Sequence, residues 1–94
     1  MSVVIVGGNE CMERRYVDLC EQHQCRAKVY TKIKGMKNIG MPDLLILFTS
    51  TMSHKMVRCA LSEIKGSSTT VARCHTSSIS ALKNILNEHA PLEG

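Results

Sequence analysis

Two periods run through the apolar positions of this chain. Val3–Val6 and Leu44–Phe48 are short continuous apolar runs bounded by turn residues, the pattern of strands covered on both faces of a parallel sheet. They are predicted to be its central strands. The segment from Arg26 to Lys34 alternates strictly, with Arg26, Lys28, Tyr30, Lys32 and Lys34 on one side and Ala27, Val29, Thr31 and Ile33 on the other. Such alternation predicts a strand with one wet face. A weaker strand is expected over Thr69 to Cys74, with Thr70, Val71 and Ala72 at its middle.

Between the strands the period changes to that of a helix. Met12, Tyr16, Leu19, Cys20 and His23 share one helical face, Val57, Ala60, Leu61 and Ile64 a second, and Ile79, Leu82, Ile85, Leu86 and His89 a third. Each pattern is preceded by a residue whose side-chain oxygen can accept an orphan backbone N–H: Asn9, then Thr51 or Ser53, then Thr76 or Ser77. Gly66 suits the end of the second helix and Pro91 follows the third.

Right-handed crossovers, with the two apolar strands in the middle, favour a four-stranded parallel sheet in spatial order 2-1-3-4, flanked by three helices. This is a single α/β domain of Rossmann-like or flavodoxin-like type. The connection from Gly35 to Asp43 is too short and Gly-rich for a covering helix. A missing helix accounts for the alternation of the second strand, whose lysines also discourage edge pairing. Met36, Ile39 and Met41 in that connection are read as a lid over the first strand or a contact between two copies.

Composition narrows the class. A 94-residue chain is one domain, and at this size folding buries only about 60–70% of the surface exposed when unfolded, so help from a homodimer is expected. Aromatics make up 3% of the residues, leaving the core to aliphatic side chains. The start carries no basic leader, and no run approaches the roughly 20 apolar residues of a membrane span. A cytoplasmic protein with no membrane contact is expected. Five irregularly spaced cysteines without Cys-x-x-Cys fit reduced thiols better than a disulfide framework.

The net charge of +4 favours anions weakly. Arg26, Lys28, Lys32, Lys34 and Lys37 fall in an interval without acidic residues, between Glu21 and Asp43. Tyr30 alone offers a stacking surface there and no recognition helix accompanies it, so nucleic-acid binding is not expected.

In an open parallel sheet, ligands bind outside the carboxyl ends of the strands at the switch point, here between the first and third. The fold delivers to that place Gly7, Gly8, Asn9 and Glu10; Thr49, Ser50, Thr51, Ser53 and His54; and Arg73, His75, Thr76, Ser77 and Ser78. Helix N-termini arrive with them, so an anionic small molecule is the natural occupant. Arg14, Arg15 and Arg73 can add charge-assisted bonds.

Gly7-Gly8 is not a dinucleotide fingerprint, because Asn9 and Met12 stand where the second and third glycines of G-x-G-x-x-G belong. The two aspartates, Asp18 and Asp43, are placed away from any Ser-His pair, so no hydrolase set assembles. Cys11 falls in the first turn of a helix, where a thiolate is favoured, but it is read first as a small buried apolar residue. His54 and His75, with Cys74 and Tyr16, are able to supply an axial haem ligand; without Cys-x-x-Cys-His, that haem would be held noncovalently.

A strand ending Val6-Gly7-Gly8, a third strand followed by Thr49-Ser50-Thr51-Met52-Ser53-His54, and a fourth ending near Arg73 before Ser77-Ser78 resemble a family of small bacterial proteins known as domain of unknown function 2325. The resemblance covers nearly the whole chain. It implies a Rossmann-like fold and a bacterial cytoplasmic protein, and it draws attention to Gly7, Gly8, Ser53, His54, Arg73 and Ser78. Asn9 departs from the pattern, which more often has an acidic residue there.

The sequence therefore leads to a ligand-binding or regulatory protein whose site comprises Gly7, Gly8, Asn9, Thr49, Ser53, His54, Arg73, Ser77 and Ser78, holding an anionic small molecule such as a nucleotide or phosphate. A haem or redox-sensing protein using His54 or His75 is one alternative. A structural homodimerisation module is the other. No catalytic constellation is assembled.

Overall fold

In a computed structural model of the chain, residues 1–32 and 39–90 are described. The strands are β1 (Ser2–Gly7), β2 (Arg26–Tyr30), β3 (Leu44–Phe48) and β4 (Thr70–Cys74); the helices are α1 (Glu13–Gln22), α2 (His54–Glu63) and α3 (Ile79–His89). The strands form one sheet in the order β2-β1-β3-β4, all neighbours parallel. This is the expected topology. The end of the alternating segment at Ile33 and Lys34, the loop residue Met36, and Pro91 lie outside the described residues.

Two apolar layers enclose the sheet. On one face α1 and α3 bring Tyr16, Cys20, Leu82 and Leu86 onto Val3, Ile5, Leu44, Ile46 and Phe48. On the other, α2 brings Met56 and Ala60 onto Val4, Val6, Leu45 and Leu47. The continuous apolar run of β3 is thus buried from both sides, all five residues being inaccessible to solvent. Each such side chain stabilises the fold by about 1.5–3 kcal/mol relative to an exposed one. No helix among the described residues is long and apolar enough to cross a membrane.

Beside β2 the α2 layer is thin, as the alternation predicts. Arg26 and Lys28 are exposed on that face, while Ala27 and Val29 pack towards α1. The face is not wholly wet, however. Ile39, 4% exposed, enters the same cluster as Val4 and Val6, and Tyr30 packs half-buried against it. Ile39 thus plays the expected part of a lid, whereas Met41 stands 83% exposed. The strand itself ends at Tyr30, short of the expected extent. Thr31 turns to donate to Glu13 at 3.2 Å, and Lys32 pairs with Glu10 at 3.0 Å, so one leaves the ladder for the start of α1 and the other for the segment just before it.

The helix ends differ from expectation in two places. Asn9 caps a short 3-10 turn, Glu10–Met12, by accepting from the Cys11 N–H at 2.9 Å; α1 begins after it without a side-chain cap. For α3 the cap is Ser78, whose hydroxyl accepts from the Ala81 N–H at 3.1 Å, in place of Thr76 or Ser77. The Ser77 carbonyl, just before the cap, instead accepts from the Tyr16 hydroxyl at 2.6 Å, which pins this segment to α1. The helix starts one residue later, with the Leu82 N–H donating to the Ser78 carbonyl. Ser53 caps α2, accepting from the Met56 N–H at 3.2 Å.

At the far end of α1 the chain closes in a Schellman motif. The Cys25 N–H donates to the Cys20 carbonyl and the Gln24 N–H to the Glu21 carbonyl, both at 2.9 Å. Gln24 takes the left-handed conformation there, φ 61°, a position where glycine is the usual residue. Cys20 and Cys25 thereby meet in the core, and burial pushes the Cys20 thiol up to about 12. His23 is buried beside them, and its Nδ1–H donates to the Ala90 carbonyl at 2.7 Å, tying the ends of α1 and α3 together.

Candidate functional site

At the carboxyl edge of the sheet, the connections after β1, β3 and β4 touch one another. Gly7 and Gly8 leave β1 at φ 90° and 86°, conformations that L side chains rarely adopt. A Cβ on Gly7 would meet the Met52 side chain and the Phe48 carbonyl at 2.8 Å and the Thr51 hydroxyl at 2.9 Å. One on Gly8 would meet the Tyr16 ring at 2.9 Å. The two glycines are therefore clasped between the connection after β3 and the first helix.

Hydrogen bonds complete the clasp. The Gly8 N–H donates to the Thr51 hydroxyl oxygen at 2.6 Å, and that hydroxyl donates to the Phe48 carbonyl at 3.0 Å. The Tyr16 hydroxyl, inside a fully buried side chain, donates to the Ser77 carbonyl and accepts a long bond from the Asn9 N–H at 3.4 Å. Its ring lies 5.4 Å from that of Phe48. The Ser50 N–H donates to the His75 carbonyl at 3.2 Å and the Thr49 hydroxyl to the Cys74 carbonyl at 3.4 Å.

Of the residues singled out from sequence, Gly7, Gly8 and Asn9 belong to the connection after β1, Thr49, Ser53 and His54 to that after β3, and Arg73, Ser77 and Ser78 to that around the end of β4. Bonds between connections join Gly8 to Thr51, Asn9 and Ser77 to Tyr16, and Thr49 to Cys74. The Ser53 and Ser78 hydroxyls accept as caps, which leaves the amides of His54, Lys55, Ile79 and Ser80 without an intrahelical acceptor. His54, Arg73 and His75 are exposed.

Arg14 is not at this edge. It lines an open depression of about 470 Å³ along the outer side of α1, with Glu13, Val17, Asp18, Glu21 and Val29. Among the described residues no group of three or more His, Cys, Asp or Glu side chains is arranged to hold a metal ion.

Tyr16, read from sequence as a core residue and a candidate haem ligand, instead ties this edge together through its hydroxyl, a role that sequence reasoning did not assign. Its place in an apolar helical stripe marks it as core, and only its hydroxyl, the one polar atom in that stripe apart from His23 and the thiol, hinted at a further partner. Electrostatically the edge is one-sided. No acidic residue occurs from Leu44 to Ser62 or from Ile64 to Asn87, while His54, Lys55, Arg73 and His75 do. Glu10, on the connection after β1, is paired with Lys32.

A four-stranded parallel sheet wound 2-1-3-4, with helices on both faces and polar connections at the carboxyl edge, defines a small flavodoxin-like α/β protein. The chain belongs to the bacterial family described as "Uncharacterized protein conserved in bacteria", domain of unknown function 2325, whose model matches residues 2–89. No curated protein and no solved structure matches it significantly.

Proposed function

We propose that this protein is a noncatalytic, regulatory ligand-binding module that holds an anionic small molecule, of the phosphate or mononucleotide kind, at the carboxyl edge of the sheet. The ligand would sit over the connections after β3 and β4, within reach of Arg73, His54, Thr49 and the first turns of α2 and α3. One observation carries this reading: two capped helix N-termini and the cations Lys55 and Arg73 share an edge whose β3–α2 and β4–α3 segments contain no carboxylate. Helix N-termini and guanidinium groups both favour anions. Gly7, Gly8, Asn9 and Ser77 then serve by shaping the adjoining wall.

This reading ranks above a haem protein, because the exposed His54 and His75 offer no apolar enclosure for a macrocycle. It ranks above a homodimer built on the β2 face, because a two-fold pairing there would set Arg26 and Lys28 against their own copies. Calorimetric titration with inorganic phosphate and AMP tests it. Saturable binding is expected, weakened about tenfold by Arg73→Ala and weakened further by added salt. An absence of saturable binding, or affinity indifferent to Arg73→Ala, refutes it.

A further inference from the structure

We propose that Thr51 determines which anions this protein accepts: by occupying the Gly8 amide with its own hydroxyl, it bars a ligand whose diphosphate bridge must cross the first strand–helix turn, and leaves room only for a compact anion with a terminal phosphate group. The inference rests on the anion-binding reading above and specifies its ligand class.

In doubly wound sheets a dinucleotide lays its diphosphate across the turn after the first strand, where glycines let the backbone approach and exposed amides donate to the phosphate oxygens. Here the glycines are present but three of the turn's donors, the Gly8, Asn9 and Cys11 amides, are engaged by the protein itself. The Gly8 N–H is held by the Thr51 hydroxyl at 2.6 Å, and this hydroxyl is itself anchored by donating to the Phe48 carbonyl. Further along the turn, the Asn9 N–H is turned to the Tyr16 hydroxyl at 3.4 Å, and the Cys11 N–H is held by the Asn9 side chain at 2.9 Å. Space is closed as well as donors. Met52 and Thr51 press on Gly7 from one side, and the Tyr16 ring presses on Gly8 from the other. The close approach that glycine permits is thus made to the protein's own β3–α2 connection. A 3-10 turn also separates the glycines from α1, so the helix N-terminus does not begin where a bridging phosphate would lie. The cations Arg73 and Lys55 belong to the other two connections.

Titration calorimetry with AMP and with NAD, which differ in the diphosphate bridge and the second nucleoside, tests the assignment. Wild-type protein is expected to bind AMP at least about tenfold more tightly than NAD. Thr51→Ala exposes the Gly8 amide and should narrow that ratio to about threefold by a gain in NAD affinity, whereas Thr51→Ser, which keeps the hydroxyl, should retain the wild-type ratio. NAD binding as tight as AMP in the wild type overturns the proposal, and this comparison holds whether or not Thr51→Ala folds. An AMP-to-NAD ratio unchanged in folded Thr51→Ala overturns it too. Failure of both AMP and inorganic phosphate to bind the wild type is a different result, which removes the anion-binding reading and this inference with it.

Discussion

Tyr16→Phe isolates one atom on which the carboxyl edge depends. The ring is fully buried against Phe48 and stays in place when the oxygen is removed, so the apolar packing is unchanged. What disappears is the 2.6 Å donation to the Ser77 carbonyl, together with the weaker acceptance from Asn9. Leaving one partner of a buried hydrogen bond unpaired costs about 1–3 kcal/mol. Ser77 is only half-buried, so water can reach its carbonyl in part, and the lower half of that range, about 1–2 kcal/mol, is expected. For a domain of this size, that loss lowers Tm by roughly 4–16 °C. Urea unfolding followed by far-UV circular dichroism gives the stability change, and hydrogen exchange at the first turn of α3 should show faster opening there than in α2. A stability loss below about 0.3 kcal/mol, or exchange unchanged in α3, would show that the tyrosine is simply a core side chain and that Ser78 caps its helix without help.

Two further outcomes follow from the other end of α1. Gln24→Gly relieves a left-handed residue at the Schellman position; the strain of roughly 1–2 kcal/mol outweighs the extra chain entropy of glycine, so a net gain of about 0.5–1 kcal/mol is expected in urea unfolding, and a loss would contradict the backbone assignment. The Cys20 thiol, raised by burial from near 9 to about 12, binds its proton more tightly folded than unfolded. Its contribution is therefore complete below about pH 9 and lost as pH rises from there towards 12; stability measured from pH 8 to 10.5 should fall, less steeply in Cys20→Ala, and equal slopes in the two proteins would count against the buried thiol.

Most of the framework was legible in the chain because it depends on short-range periodicity and on chirality. The buried run of β3, the alternation of β2 and the three apolar helical stripes each announce themselves within a few residues, and right-handed crossover turns that list into the order 2-1-3-4. The end of β2 at Tyr30 was not legible, because the alternation continues through Lys34. The strand stops where Thr31 and Lys32 find partners on Glu13 and Glu10. Likewise three consecutive polar residues, Thr76, Ser77 and Ser78, are equally good caps by type, and Ser78, next to the segment that Tyr16 pins to α1, takes the role.

The sequence alone thus determined the class of fold, the strand order, the family, and which connections gather at the carboxyl edge. Tertiary structure decided what that edge looks like. It set Thr51 on the Gly8 amide, Tyr16 on the Ser77 carbonyl and Ile39 in one cluster with Val4 and Val6 of β1. The physical reason is range: apolar period and strand handedness are properties of adjacent residues, whereas these contacts join donors and acceptors, or apolar side chains, far apart in the chain. The Tyr16–Ser77 pair, separated by 61 positions, has no signature until the two segments are packed together.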